Sequence, residues 1–220
     1  LKTYKPVARG WETWLVMAEV PDRQVRAVYT ADTVTVYQAY NPTLGDYAVA
    51  HGRFPDTYNR GRMTWIKPSF RWLMYRSGWA TKHRQERALA IEITRSGFEW
   101  ALANAALSHY QPEIHADRQE WAASLRRLVR VQWDPERSLT MVRLDHRSLQ
   151  VGLSGEAVGK YVDEWIVGIA DVTGLAHRIH GLVEAKSLDE AEALLPAERP
   201  YPLPAEIAEG LIGPRTPAPA

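Results

Sequence analysis

The chain contains no cysteine, which excludes disulfides, thiolate metal sites, iron–sulfur clusters and a cysteine nucleophile together. That absence says little about compartment. Charge of one sign is also missing: 27 Lys+Arg stand against 26 Asp+Glu, a net charge of +1. No global field is available to hold nucleic acid or an anionic membrane surface, so any anion binding has to be local. Long apolar runs are absent as well. The opening segment LKTYKPVARGWETWLVMAEV is interrupted by Glu12 and Glu19, unlike a secretory signal, and no window approaches a membrane span. The expectation is a cytoplasmic protein with no membrane and no nucleic-acid partner, although SLRRLVRVQW leaves a weak basic patch. Phenylalanine is scarce, 3 residues against 9 Trp and 10 Tyr, which favours rings that carry a hydrogen-bonding handle.

Several catalytic signatures are missing too. There is no GxSxG nucleophile elbow, GxGxxG dinucleotide turn or HExxH zinc helix, so serine hydrolase, Rossmann dehydrogenase and zinc protease readings lack support. His177 and His180 stand three apart in AHRIH without a third ligand at an expected offset, and read as structural histidines. No metal and no cofactor are expected. RSLQVGLSGEA runs a strand into a helix start at Gly152, Ser154 and Gly155 but lacks the lysine and glycine spacing of a phosphate loop. Ser154 reads as a cap and Glu156 as the favourable charge of a first turn.

At 220 residues the chain suits one domain with a buried core. Residues 1–22 read as a leader that packs through Trp11 and Trp14 if it packs at all, 23–195 as one domain, and 196–220, rich in proline, as an extended tail with at most one short helix. QVRAVYTADTVTVYQAY predicts two strands around a Thr-Ala-Asp turn. Asn41-Pro42 predicts a capped helix stopped at Gly52. A short strand TWI follows, then a helix opened by Pro68 and closed by Gly78. RALAIEIT predicts a strand, SGFEWALANAALSHY and DRQEWAASLRRL helices, VRVQWDPERSLTMVRL a hairpin turning at Asp-Pro-Glu-Arg, and RSLQVGL a strand. The spacing of Ala157, Val158, Tyr161, Val162, Trp165, Ile166 and Ile169 predicts one helix, with another over 173–185. Short connections between successive strands argue for an α+β fold, a single domain with a mixed, mostly antiparallel sheet and flanking helices.

The stretch MTWIKPSFRWLMYRSGW, Met63 to Trp79, crowds three Trp, a Tyr and a Phe among one Lys and two Arg. Helical spacing groups Phe70, Leu73, Met74 and Ser77 on one side and Lys67, Arg71 and Tyr75 on another. One face enters a core. The other is either a solvated cationic face or the wall of a pocket whose cations meet an acidic ligand. In TVTVYQAY, Gln38 shares a face with Val34, Val36 and Tyr40, so it is either satisfied by backbone or aimed into a cavity. Arg26 lies on a strand face, where solvent exposure is the default.

The blocks RAVYTADTVTVYQAYNP, RMTWIKPSFRWLMYRSGWATK, QERALAIEITRSGFEWAL, VRVQWDPER, RSLQVGLSGEAVGKYVDEWI and DVTGLAHRIH together resemble the bacterial and fungal family of domain of unknown function 4291. The resemblance runs from about Arg23 to Pro204. The leader and the loop FPDTYNRGR depart from its pattern. Some similar members are associated with actinobacterial natural-product and antibiotic biosynthesis, where dehydration and Michael-type addition close a macrocycle on a polyketide bearing a tetramic acid. The resemblance therefore implies a cofactor-independent lyase or cyclase for a hydrophobic acidic small molecule. Lys67, Arg71 and Arg76 would hold the anion, Tyr40 and Tyr75 would donate or relay protons, and Trp72 and Trp79 would form the wall. Trp65, Arg26, Gln38 and Gln150 complete the expected substrate-binding set. A second expectation is an ADP-ribosyltransferase-like, NAD-binding element in VYQAYNPTLGDYAVAHGRF, with Gln38 where His or Arg is more usual and no acidic counterpart beyond Gln150. A third is a non-enzymatic small-molecule-binding module.

Overall fold

The computed structural model describes residues 20–213; Trp11, Trp14 and the end of the tail lie outside the described residues. In chain order the elements are β1 Arg26–Ala27, β2 Thr33–Tyr40, α1 Pro42–His51, β3 Thr64–Ile66, α2 Phe70–Ser77, β4 Arg87–Thr94, α3 Arg95–Ala103, β5 Ala105–Leu107, α4 Arg118–Ser124, β6 Val129–Arg137, β7 Arg143–Leu153, α5 Glu156–Lys160, β8 Ile166–Asp171, α6 Thr173–Glu184, α7 Leu188–Ala193, β9 Arg199–Pro200 and α8 Ala205–Ile212. A π-helical turn, Tyr161–Trp165, joins α5 to β8. This is an α+β fold. Two sheets carry it, ordered β2-β4-β8 and β3-β7-β6-β5, all antiparallel except the β5–β6 pair. They meet where Tyr37 N donates to Lys67 O at 2.7 Å.

Strand alternation decides where the core sits. Val34, Val36 and Tyr40 of β2 and Leu89, Ile91 and Ile93 of β4 point to the same main core as Ile66, Val131, Trp133, Leu149 and Val151 from the other sheet. A second core lies on the opposite side of β2 and β4, where Tyr37 and Ala88 meet Phe70, Leu73 and Met74 of α2 and Ala176 and Ile179 of α6. The first sheet is thus covered on both faces. The second has one polar face, because Gln132 and Asp134 alternate with Val131 and Trp133, and Gln150 and Ser148 pair with them.

Local chemistry sets several boundaries. Asn41 accepts from Leu44 N, Pro42 opens α1, and Gly52 closes it at φ 65°. α2 starts two residues beyond the expected proline, at Phe70: Ser69 is the cap, accepting from Trp72 N, and Gly78 ends the helix. Gly78, Trp79 and Ala80 are all left-handed, at φ 59°, 58° and 61°, a turn that folds Trp79 back onto His180 at 5.3 Å.

Other elements correct the expectations. The Thr-Ala-Asp turn forms, but only Tyr29 and Val34 bridge across it, and Arg26–Ala27 pair instead with Arg199–Pro200. The helix expected to reach Tyr110 ends at Ala103, and Ala105–Leu107 become a strand parallel to β6. Asp-Pro-Glu-Arg is no turn: β6 runs through it with an irregular register between Pro135 and Arg137, a place that tolerates a residue without N–H. The reversal comes later, at Ser138–Val142, and RSLQVGL is the end of one long strand, β7. The expected helix from Ala157 stops at Trp165; Ile166–Asp171 pair with β4, since β-branched residues suit a strand there. The tail is built into the fold through residue 213. Tyr201 N donates to Val25 O, and Trp133 Nε1 donates to Leu211 O at 3.0 Å. No helix among the described residues is long and apolar enough to cross a membrane.

Candidate active site

A cleft opens where β1, the start of α2, the β6–β7 reversal and the α7–β9 link converge. It has a volume of about 290 Å³ and is lined by Arg26, Arg71, Glu136, His146, Glu192 and the run Leu195–Glu198. Each element delivers its residue for a local reason. Arg71 is in the first turn of α2. Glu136 follows Pro135 at the irregular stretch of β6, and it is buried, at 5% exposure. Glu198 sits just before β9, and its Oε1 accepts from Phe70 N at 2.6 Å, so it occupies a free amide at a helix start. Arg26 donates to the Glu198 backbone oxygen at 3.2 Å and to Gln24 Oε1 at 2.9 Å.

Glu198 behaves differently from a surface carboxylate. Burial, with the negative charge of Glu136 adding to it, pushes the Glu198 carboxyl up to about 8, against the opposing pull of the Phe70 N–H, Arg71 and Arg26. One member of the pair therefore keeps its proton near neutral pH while its neighbour supplies negative charge. Tyr37 packs in the second core, edge-on to Phe70 at 5.5 Å. Its phenol is held well above the usual range by burial and by the Glu198 charge, so it remains a neutral donor.

The sequence-expected residues divide. Arg26 and Arg71 line this cleft. The rings do not: Trp72 stacks on Tyr75 at 5.1 Å, Arg137 covers the Tyr75 ring at 3.8 Å, and Trp79 is buried in the second core. Trp65 packs across Gly152, where a Cβ would come within 3.0 Å of the indole. Tyr40 is in the main core, its hydroxyl 2.8 Å from that of Tyr58, which continues to Thr64 Oγ1 at 3.1 Å. Gln38 is satisfied from both ends, donating to Trp65 O at 2.9 Å and accepting from Tyr161 OH at 2.6 Å. Gln150 and Gln132 donate to the two oxygens of Asp134. Lys67 is buried just beyond β3, its backbone oxygen accepting from Tyr37 N, and Arg76 is exposed near the end of α2.

These positions match the sequence blocks that suggested a family, and a family model matches residues 24–201. The chain belongs to the DUF4291 family, a domain of unknown function. The DUF4291 match takes in every residue of the cleft, from Arg26 to Glu198. No curated protein matches the chain significantly.

Sequence reasoning missed Glu136, His146 and Glu198. The sequence pattern places Glu136 in a turn and Glu198 in a tail, whereas the structure puts Glu136 in β6 and Glu198 just before β9. The available signal was weak: Asp134 and Glu136 recur at strand period, placing two carboxylates on one side of β6, and Glu198 stands between prolines in PAERP. Among the described residues no group of three or more His, Asp or Glu is arranged to hold a metal ion.

Proposed function

We propose that this protein is an acid–base lyase acting on a small acidic molecule, catalysing loss of water from a β-hydroxy carbonyl compound and the related conjugate addition. The single observation that carries this reading is the Glu136–Glu198 pair in a cleft that also presents Arg26 and Arg71. In dehydration, the carboxylate of Glu136 takes the proton α to the carbonyl. Glu198 gives its proton to the departing β-hydroxyl, which leaves as water. Arg26 and Arg71 hold the acidic group and stabilise the enolate-like charge that develops between the two proton transfers. Addition of a carbon nucleophile to the resulting conjugated carbonyl is the same chemistry in the reverse sense, with the acid and base roles exchanged.

The cleft's volume, about 290 Å³, is at the lower end of small-molecule sites, and its lining is mostly polar. It suits the reacting segment and acidic head of a substrate. The long apolar remainder of a polyketide would lie outside it. Macrocycle formation on a tetramic-acid polyketide is then the specific version of this proposal, and elimination on a compact hydroxy acid the general one.

The test is direct. Purified protein is incubated with a panel of β-hydroxy acids and their thioesters, and the conjugated product is followed by ultraviolet absorbance and mass loss of one water. Turnover by the native chain, reduced about 10²- to 10⁴-fold in Glu198→Gln and Glu136→Gln, is expected. Equal turnover in all three chains would remove both residues from the mechanism.

A further inference from the structure

The proposed reaction uses four of the charged side chains in the cleft and leaves one carboxylate over. Glu192, near the end of α7, lines the same space of about 290 Å³ as Arg26, Arg71, Glu136 and Glu198. Oppositely charged side chains around so small a volume would ordinarily close on one another. Here they do not. Among the described residues none of the five joins an ion pair. Three of them are held by other bonds. Arg26 is tied to Gln24 Oε1 at 2.9 Å and to the Glu198 backbone oxygen at 3.2 Å. Glu136, 5% exposed, accepts from Arg137 N at 2.8 Å through Oε1. Glu198 accepts from Phe70 N at the start of α2. The fold thus keeps guanidiniums and carboxylates apart around a space that takes a compact molecule.

A ligand that carries only an acidic group matches half of this lining. It pairs with Arg26 and Arg71, but the carboxylates of Glu136 and Glu192 repel it. Two guanidiniums and two carboxylates are matched instead by a ligand that is itself both acid and base. Glu136 is buried and committed to its backbone bond, whereas Glu192 is exposed at the rim of the cleft and makes no ion pair, so it is the carboxylate available to a cation. We infer that the cleft binds a zwitterion, a compact molecule whose carboxylate is held by Arg26 and Arg71 and whose ammonium is received by Glu192. The ligand class is therefore amino acids rather than plain hydroxy acids. The planar guanidinium fork suits a carboxylate, and an ammonium brings three N–H donors to an acceptor-only group. Joined to the proposed reaction, the site means that the substrate carries an amino group besides its acidic one. That identification rests on the acid–base reading; binding of the zwitterion does not.

Titration calorimetry of the full chain with L-threonine and with (R)-3-hydroxybutyrate tests the site at fixed ionic strength and near neutral pH. The two probes share a carbon skeleton and a hydroxyl and differ by the α-ammonium. Saturable binding of threonine is expected, about tenfold tighter or more than that of hydroxybutyrate. Glu192→Gln should move the two probes in different directions: threonine weakens about tenfold, while hydroxybutyrate is unchanged or tighter, because a repelling charge has gone. Glu192→Asp should keep the preference, and Arg71→Gln should weaken both probes. Glu192 is exposed, so its variants should fold, which thermal melting checks. Turnover of hydroxybutyrate and its thioester, followed in parallel, separates the two readings. Preference for threonine without any turnover supports the zwitterion site and counts against the lyase; turnover without the preference overturns the zwitterion site and leaves the lyase. No saturable binding of threonine, equal affinity for both probes, or a preference that survives Glu192→Gln also overturns the inference.

Discussion

Glu198 and Lys67 are two side chains whose protonation depends on how the chain packs, and their effects on stability have opposite signs. For Glu198 the folded pKa is raised from 4.5 to about 8. Between those values the folded state binds more protons than the unfolded state, so stability falls as pH rises from about 4.5 to 8. For Lys67 the folded pKa is lowered from 10.5 to about 8. Between about 8 and 10.5 the unfolded state binds more protons, so stability rises with pH there. The two limbs predict a minimum in stability near pH 8, measurable as urea midpoints across that range. Glu198→Gln should flatten the acid limb and Lys67→Met the alkaline one. Neither shift was legible in the sequence. Lys67 and Arg71 could be picked out as cations among rings, but desolvation depends on which distant element covers a group, and Glu198 is covered by residues more than a hundred positions away.

At the level of elements, the boundaries legible in the sequence rest on chemistry contained within a few residues. Asn41-Pro42 and Gly52 bound α1, and Gly78 ends α2, because caps and left-handed glycines act locally. The ones that failed depend on partners. Ile166 and Ile169 fit a helix as well as a strand until β4 offers its edge, and Ala105–Leu107 become a strand only because β6 lies alongside. The π-helical turn before β8 brings Trp165 against α3, where an added Cβ on Gly97 would sit 2.4 Å from the indole Cγ. Both residues are buried there, with Trp165 6% exposed. Gly97→Ala is therefore expected to lower stability by about 1–3 kcal/mol through overpacking, read by chemical denaturation. Trp165→Phe combined with Gly97→Ala should recover part of the loss, and additive losses would show that the close approach is not the cause.

At the scale of the whole molecule, the last described segment closes what the first begins. Arg199–Pro200 pair with Arg26–Ala27, Tyr201 OH donates to Glu99 Oε1 at 2.6 Å, and α8 reaches Trp133 through Leu211. The cleft exists because this strap carries Glu198 across to the start of α2. A chain ending after Leu195 should lose the cleft along with these contacts, with a lower denaturation midpoint and no turnover. The α+β class and the family were legible in the sequence from strand and helix alternation and from long specific blocks. The carboxylate pair was not, because it joins a misread turn to a segment taken for a tail.

Of the two neighbouring carboxyls in the cleft, Glu198 holds its proton near neutral pH. Infrared titration of the native protein against Glu198→Gln measures this without any substrate. A neutral carboxyl carbonyl band that persists at pH 7, disappears as pH rises through about 8 and is missing from the Glu198→Gln spectrum is the predicted result. A native spectrum in which every carboxyl has ionised well below neutral pH would contradict the account.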